Sequence, residues 1–517
     1  MAMTQEQLDA LVARLEDEAD RNPGFYRLRL GAFAALAYVY IIGIPALLIG
    51  GGAALGRAVA TLGGGAAFAT ITIPLVILIG VAFKAFRVRL EAPAGFEMKP
   101  AERRRLFAAI EEVRTAVQAP PVHAVLLTRE LDAAVVQVPR LGPFGWRRNY
   151  LTLGLPLMQL LTLAEFKAVL ARELGHLSGA HGRFGAWIYR VREGWTRLDE
   201  RLQRQRDWGS FLFAPFFGWF APKFAACSFV QARKQEYEAD SIAAEAIGAS
   251  ALASALIRLD LKGRELKQHF WPRVHARSAD EPSPTASPFT HLATRERREF
   301  LPDAPAHLKQ ALTRPTDTAD TRPCLSERLA AIRQPARMPP ATAESAAEAL
   351  FGGALQFIAE HFDDEWRRTV APLWTKRHEQ IKSGRARLAS FSARKPERLS
   401  DDELFTFAGL TEELEGPERA YPLYLSLAKR PSRPLGARFA VGRLLLQRGD
   451  ERGKQVIDRI MAENPEAVIP ACETMIRYLR STGREREAKP YLDRYWHKRN
   501  ADADTARRDE IRRTGTG

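Results

Sequence analysis

The chain has 517 residues, a formal net charge of +15 and a sequence pI of about 9.9. Its hydrophobic content of 46% is enough for a sizeable core, and its length suggests about three domains. The basic residues are spread along the chain without a nucleic-acid motif, so an acidic lipid surface is the better expected partner. Its three cysteines, Cys227, Cys324 and Cys472, lie far apart, which argues against a disulfide framework and indicates a reducing compartment.

Two uncharged runs near the amino terminus predict a transmembrane hairpin over residues 30–84, preceded by a cytosolic helix over residues 1–29. No charged residue occurs between Arg29 and Arg57, or between Arg57 and Lys84, and each run exceeds the roughly 20 residues that cross a bilayer. Lysine and arginine are frequent on both outer flanks, so both ends are expected to face the cytoplasm. A buried pair of core helices is the alternative interpretation.

The next segment, residues 100–275, has the pattern of a mixed helix and strand core. An amphipathic helix is predicted first and is followed by β-leaning runs, at 101–118 and then at 122–128, 133–138 and 150–158. A further helix is predicted to begin at Thr162, where Glu165 completes a capping box. Its apolar face consists of Leu170, Leu174 and Leu177. The expected fold class is therefore mainly α with a small β-sheet.

This helix carries the stretch ARELGHLSG, residues 171–179. Residues four apart on a helix share a face, so a His-Glu-x-x-His pattern can bind one Zn²⁺ while its Glu acts as general base. Here Glu173 and His176 occupy the base and second-ligand positions, but Arg172 stands at the first histidine's position. Glu-x-x-His alone is a weak signal. A second motif on a helix-like run, QEYEAD at residues 235–240, strengthens it.

Together these motifs resemble the integral-membrane zinc peptidases of the HtpX heat-shock protease and CAAX prenyl protease type, over the hairpin and roughly residues 100–335. The resemblance implies that Glu173 is the general base, that His176 and Glu236 are zinc ligands, and that Asp240 braces a ligand histidine. It also implies a bacterial inner-membrane protein that cleaves membrane or misfolded proteins. An edge strand such as residues 133–138 would hold the extended substrate.

Arg172 departs from the family pattern in a way that opposes zinc binding. A guanidinium has no lone pair to donate and stays protonated. A unit charge about 5 Å from Zn²⁺ costs roughly 7 kcal/mol at an effective dielectric near 20. We therefore expect Arg172 to replace the metal's charge and to pair with Glu236, Glu173 or both. His181 does not match the spacing of a third histidine ligand, and Arg322-Pro323 stands where relatives often carry His-Pro.

Two segments downstream of the first motif are harder to assign. Residues 208–230 are rich in Phe and Trp, and Pro215 and Pro222 are expected to interrupt them. This predicts either an interfacial or re-entrant membrane element or a buried aromatic core. Residues 276–335 are rich in Pro, Ser, Thr and Asp over most of their length, which is typical of a loop or linker that ends in a family-like segment.

The remaining part, residues 345–500, is predicted to form helical repeats. Gly416, Gly449 and Gly483 recur at steps of 33 and 34 residues, between apolar helical segments. This period is typical of tetratricopeptide-like helical hairpins that bind peptides or partner proteins, and a plain helical bundle is the alternative. Two functions follow for the whole chain. One is a membrane zinc metalloendopeptidase, and the other is an inactive pseudoprotease that binds client proteins through its groove and repeats.

Overall fold

The computed structural model describes residues 5–61, 92–139, 147–178, 184, 188, 191, 210–294, 299–314, 316 and 322–514. These residues are mostly helical and include one small sheet. The chain divides into two compact units. The first unit comprises Met1–His275 and Ala286–Arg368, and the second comprises Ala276–Thr285 and Thr369–Gly517.

Two helices begin the first unit, α1 over Gln5–Arg21 and α2 over Pro23–Thr61. The helix α2 contains the first uncharged run of the predicted hairpin, whereas the second run lies almost entirely outside the described residues. Judged by length and composition over the described residues, one helical stretch, Trp219–Ala279, qualifies as a candidate membrane span. This is weak evidence, because a core helix passes the same test. The stretch includes Arg258 and Lys262, which are buried beside acidic partners, as is typical of a core helix.

The sheet has four strands: β1 over Phe96–Met98, β2 over Ala124–Thr128, β3 over Ala133–Pro139 and β4 over Arg147–Gly154. Their order is β1-β2-β4-β3, with β2 and β4 parallel and the other pairs antiparallel. The first two predicted strands are confirmed. The third prediction, residues 150–158, is partly wrong, because a helix begins at Leu155. Pro156 suits the first turn of that helix, where its missing N–H is not needed.

The first unit contains most of the helices. They are α3 (Arg104–Ala116), α4 (Leu155–Leu160), α5 (Leu163–Gly175), α6 (Ser210–Ala243), α7 (Ala249–Glu265), α8 (Trp271–Ala276), α9 (Pro288–Leu292), α10 (Ala304–Leu312), α11 (Leu325–Ala331), α12 (Ala346–Phe351) and α13 (Ala354–Ser392). One π turn, Ala244–Gly248, joins α6 to α7. The helix α13 continues into the second unit. The predicted helix at 101–118 is confirmed by α3.

Two expectations about the middle of the chain are corrected. The helix α6 runs without a break through Pro215 and Pro222, so the prolines do not interrupt it. Its phenylalanines Phe220 and Phe224 are buried in a cluster with side chains of α1 and α2, which agrees with the buried aromatic core. Within residues 276–335, expected to be a loop, the structure places α9, α10 and α11, although connecting segments separate them.

The second unit is a series of helices of 12 to 15 residues followed by a longer one. They are α14 (Asp401–Glu415), α15 (Pro417–Ala428), α16 (Leu435–Gln447), α17 (Arg452–Glu463), α18 (Val468–Ser481) and α19 (Glu485–Thr514). Successive helices pack against each other. Gly416, Gly449 and Gly483 have φ of 100°, 76° and 72° at the turns within three helix pairs, a conformation that glycine adopts without strain.

Candidate active site

A capping box fixes the amino-terminal end of the helix α5. Thr162 Oγ1 accepts the backbone N–H of Glu165 at 3.2 Å, and the Glu165 carboxylate accepts the backbone N–H of Thr162 at 2.9 Å. This confirms the predicted capping box. The Glu165 carboxylate also accepts hydrogen bonds from Nε and Nη2 of Arg258, a fully buried residue on α7. Leu170 and Leu174 are buried as expected, and α5 ends at Gly175, so His176 caps its carboxyl end.

The helix α6 brings the second motif against α5. Gly175 lies at this contact, where an added Cβ would be 3.3 Å from Ile242 on α6. Glu236 and Asp240, one turn apart on α6, therefore both reach the polar end of α5. Other side chains of α6 contact the amino-terminal helices instead, as in the ion pair of Glu238 with Arg27 at 2.9 Å. The helix α6 therefore contacts α5 on one side and the amino-terminal helices on the other.

Arg172 is the centre of the site. Its side chain is 9% exposed, and its two terminal nitrogens donate to Glu173 Oε1 and to Glu236 Oε2. Its Nε lies 3.2 Å from Asp240 Oδ1, which is an ion-pair distance without hydrogen-bond alignment. The expectation that Arg172 pairs with Glu173, Glu236 or both is therefore confirmed. One guanidinium contacts three of the four carboxylates in the two motifs, and the fourth, Glu238, pairs with Arg27 instead.

A second cation, which the sequence reasoning missed, completes this network. Arg328 on α11 donates to both oxygens of Asp240, from Nε at 2.8 Å and from Nη2 at 2.7 Å. Asp240 is fully buried, and this fork geometry is the strong form of an arginine–carboxylate pair. The only sequence signal was the position of Arg328 in the segment after Arg322-Pro323. A single sequence does not show which arginine will pair with a buried aspartate.

The charges of the network explain its protonation. Burial is the largest influence on Glu173, and it raises the pKa of that carboxyl to about 7 despite the nearby Arg172. Burial also acts to raise the pKa of Glu236, but Arg172, His176 and Arg328 outweigh it, and the pKa is lowered. Two guanidinium groups face three carboxylates, so one negative charge is left in excess. Glu173, which Asp132 and Glu236 both repel, is the group that takes the compensating proton near neutral pH.

His176 is poorly placed to carry charge. Burial, followed by the repulsion of Arg172, lowers the pKa of its imidazole to about 4. Its Nε2 lies 3.8 Å from Glu236 Oε1. Two ligands of a tetrahedral zinc with bonds of 2.0–2.2 Å would be about 3.3–3.6 Å apart, so this pair alone has nearly the separation that a metal requires.

The complete donor set does not fit a zinc ion. The position of the first histidine ligand is taken by Arg172, whose guanidinium contacts the carboxylates of Glu173 and Glu236. Over the described part of the chain, no group of three or more His, Cys, Asp or Glu side chains is arranged to hold a metal. Zinc would have to displace a buried cation that contacts three carboxylates at once.

The edge of the site is formed by the start of β3 and the segment before α11. Asp132 directly precedes β3, and its Oδ2 lies 3.6 Å from a nitrogen of Arg322, in a pair that is more than half exposed. Both residues act on the pKa of Glu173, Asp132 raising it and Arg322 lowering it. The position expected to resemble the family's His-Pro pair is therefore close to the site. His181, the other residue weighed as a ligand, lies outside the described residues.

The geometry brings the predicted site residues together: Arg172, Glu173, His176, Glu236 and Asp240. Two helices that carry Glu-x-x-His and Glu-x-x-x-Asp therefore lie side by side, next to a small mixed sheet. Residues 109–336 match the sequence profile of peptidase family M48, which supports a metallopeptidase domain over that segment. The segment contains both motifs and Arg328 but covers less than half of the chain. A comparison with curated proteins finds no match.

Proposed function

We propose that this protein is a membrane-anchored pseudopeptidase, which binds client polypeptides on an M48-type peptidase scaffold without hydrolysing them. The observation that carries this proposal is the contact of Arg172 with Glu173, Glu236 and Asp240. A metallopeptidase needs a metal with an open coordination position and a free carboxylate base. Here Glu173, the expected base, is an acceptor for a permanent cation, and Glu236, the expected ligand, is another.

Arg172 also explains how the scaffold keeps its shape. In a zinc peptidase the metal neutralises the carboxylates that converge on it, and removing the metal would leave them repelling one another. In this chain a guanidinium attached to α5 provides that positive charge. We therefore expect the contact between α5 and α6 to be stable without a metal, while the chemistry that the metal would supply is lost.

The edge strand β3 is the expected client site. It pairs with β4 on one side only, and no described strand pairs with its other side. A polypeptide in extended conformation adds to such an edge through backbone hydrogen bonds, with modest sequence preference. Asp132, which directly precedes β3, and its partner Arg322 are exposed charges that would orient the client. The second unit, as tetratricopeptide-like repeats, would provide a further client surface.

The finer assignments belong to the same proposal. The resemblance to HtpX and CAAX prenyl proteases and the uncharged runs of residues 30–84 support an anchoring hairpin with both ends in the cytoplasm. An active zinc metalloendopeptidase is the second candidate, and one observation favours it. His176 Nε2 and Glu236 Oε1 are separated by 3.8 Å, close to the spacing of two zinc ligands.

The two candidates differ in metal content and turnover. We expect the full chain, purified in detergent and equilibrated with zinc, to hold far less than one zinc per chain and to show no chelator-sensitive hydrolysis of unfolded protein. Glu173→Gln should leave this baseline unchanged. A stoichiometric zinc that is lost in His176→Ala and Glu236→Gln, together with hydrolysis abolished by Glu173→Gln, would establish the active enzyme instead.

Client binding is tested from the ligand side, because substitutions in β3 risk unfolding the sheet. An unstructured peptide that binds the purified chain is resynthesised with single N-methyl groups at successive positions. Since alternate N–H groups of an added strand point toward the edge, we expect affinity losses with a period of two residues. Uniform or absent losses would show that binding does not use a strand edge.

A further inference from the structure

A cluster of positive charge in the second unit has no part in the candidate active site. Four of the ten residues from 429 to 438 are lysine or arginine, and none of the ten is acidic. They form the turn between α15 and α16 and the first turn of α16. Glu463, the last residue of α17, forms an ion pair with Arg438 at 2.6 Å. One carboxylate therefore faces this basic segment.

Two further arginines surround the same carboxylate. Arg459 precedes Glu463 by four residues on α17, so the two side chains share a face of that helix. Arg433 lies on the turn before α16. The hydrogen bond from Arg438 lowers the pKa of Glu463, and the charges of Arg459 and Arg433 lower it further. We call Arg433, Arg438 and Arg459 the arginine triad. Three cations around one carboxylate leave two positive charges in excess.

These two excess charges are accessible. Arg433 and Arg459 are exposed, and neither forms a close ion pair with any residue that the structure describes. Arg430, in the same turn as Arg433, is used differently. Its guanidinium donates to Asp401 at 2.8 Å and to two backbone oxygens that precede α14. Arg430 therefore fixes the turn, and the turn holds Arg433 at the surface of the unit.

The triad already binds a carboxylate, which indicates the class of its ligand. Arginine pairs with carboxylates and phosphates through charge-assisted hydrogen bonds. Binding to a lipid surface usually adds apolar side chains that enter the membrane interface, and binding to single-stranded nucleic acid adds rings on which bases stack. Of the described residues, none of the exposed large hydrophobic side chains lies within residues 429–463. The surroundings of the triad therefore favour a polypeptide carboxylate.

We propose that the arginine triad binds acidic segments of client polypeptides, and that Glu463 competes with these segments from within the fold. This inference rests on the client binding proposed above, and it gives the second unit a ligand class of its own. Carboxylates along a client would pair with Arg433 and Arg459 and would compete with Glu463 for Arg438. The competing ion pair is weak, because the Glu463 side chain is 46% exposed.

The experiment compares two unstructured peptides on the full chain purified in detergent. One peptide is rich in glutamate, and the other has glutamine at the same positions. We expect the glutamate peptide to bind more tightly, and the difference to shrink at high salt because exposed charges are screened. Glu463→Gln should tighten its binding about fivefold, and Arg459→Gln should weaken it about fivefold, the upper end for an exposed charge pair. Neither variant should change the affinity for the glutamine peptide.

The matched control is Glu413→Gln in the same unit. Glu413 also forms an exposed ion pair, with Arg377 at 2.6 Å, and its side chain is 47% exposed. The substitution changes the net charge by the same amount as Glu463→Gln, but it should leave the affinity for the glutamate peptide unchanged. A gain of affinity in Glu463→Gln is also informative about folding, because an unfolded variant would lose affinity.

Four outcomes would overturn the inference. Equal affinity for the two peptides, in wild type and variants, would contradict the triad while leaving client binding in place. Equal tightening by Glu463→Gln and Glu413→Gln would assign the effect to net charge. If Glu463→Gln strengthens binding to anionic phospholipid vesicles and not to the glutamate peptide, the triad binds lipid headgroups instead. Binding of neither peptide would contradict the client-binding function itself.

Discussion

Replacing Arg172 with methionine tests whether this residue holds the site together. The substitution keeps most of the side chain's apolar volume but removes the charge. Glu173 and Glu236, whose side chains are 11% and 16% exposed, then lose their cation, and Asp240 keeps only Arg328. Breaking a buried ion pair by removing one partner typically costs about 3–5 kcal/mol. We expect a loss in this range, which lowers the melting temperature of the first unit by roughly 10 °C.

The matched control is Lys167→Met on the same helix. Lys167 pairs with Glu112 at 2.7 Å, but Glu112 is 62% exposed, and surface pairs contribute only about 0–1 kcal/mol. Melting is followed by circular dichroism and by intrinsic fluorescence in one detergent. The double variant Arg172→Met with Glu236→Gln should recover part of the loss, because one uncompensated carboxylate is removed. If Arg172→Met has the same melting temperature as Lys167→Met, the three carboxylates do not depend on the Arg172 guanidinium. The proposed replacement of the metal's charge would then be incorrect.

Three further predictions concern the same unit. Burial raises the pKa of Glu173 from 4.5 to about 7 in the folded chain. The free energy of unfolding should therefore fall by up to roughly 3 kcal/mol as pH rises between these two values. Glu173→Gln should flatten this pH dependence, which is measured by urea titrations at several pH values. Gly154→Ala should lower the free energy of unfolding by at least about 2 kcal/mol, because the added Cβ would lie 1.8 Å from the backbone oxygen of Glu130. Gly263→Ala is the matched control and should be neutral or stabilising in the same thermal melts, because its added Cβ would lie 3.6 Å from Leu131. Arg172→His should gain zinc-dependent stability of about 2.7 kcal/mol at a hundredfold excess over its dissociation constant, measured as a melting shift that wild type lacks.

Short-range patterns allowed much of the first unit to be predicted. The capping box at Thr162 and Glu165 depends on local hydrogen bonds, and it forms as predicted. The apolar period of residues 101–118 likewise gave α3. The spacing of Glu173 and His176, with the downstream acidic motif, identified side chains that the fold brings into contact. In these cases one face or one turn of a helix carries the whole signal.

The errors occurred where a distant part of the chain decides the local structure. Pro215 and Pro222 predicted a break, but packing of α6 on α2 keeps the helix continuous. The run at 150–158 was expected to be one strand, yet a helix with Pro156 in its first turn begins at Leu155. Arg328 was missed because its partner Asp240 lies 88 residues away, and charge pairing at that separation leaves no periodic pattern.

The identity of the substituted residue is informative in itself. A neutral residue in place of the first histidine would leave buried carboxylates facing one another without a metal. Lysine would supply a point charge with three donors and little reach to several acceptors. The planar guanidinium of Arg172 instead directs separate nitrogens to Glu173, Glu236 and Asp240. Because metal binding to such sites is coupled to folding, a site held together by a metal is destabilised when the metal is removed. In the function proposed above, a cation attached covalently to α5 would remove that dependence together with the hydrolytic chemistry, as expected of a scaffold maintained for binding.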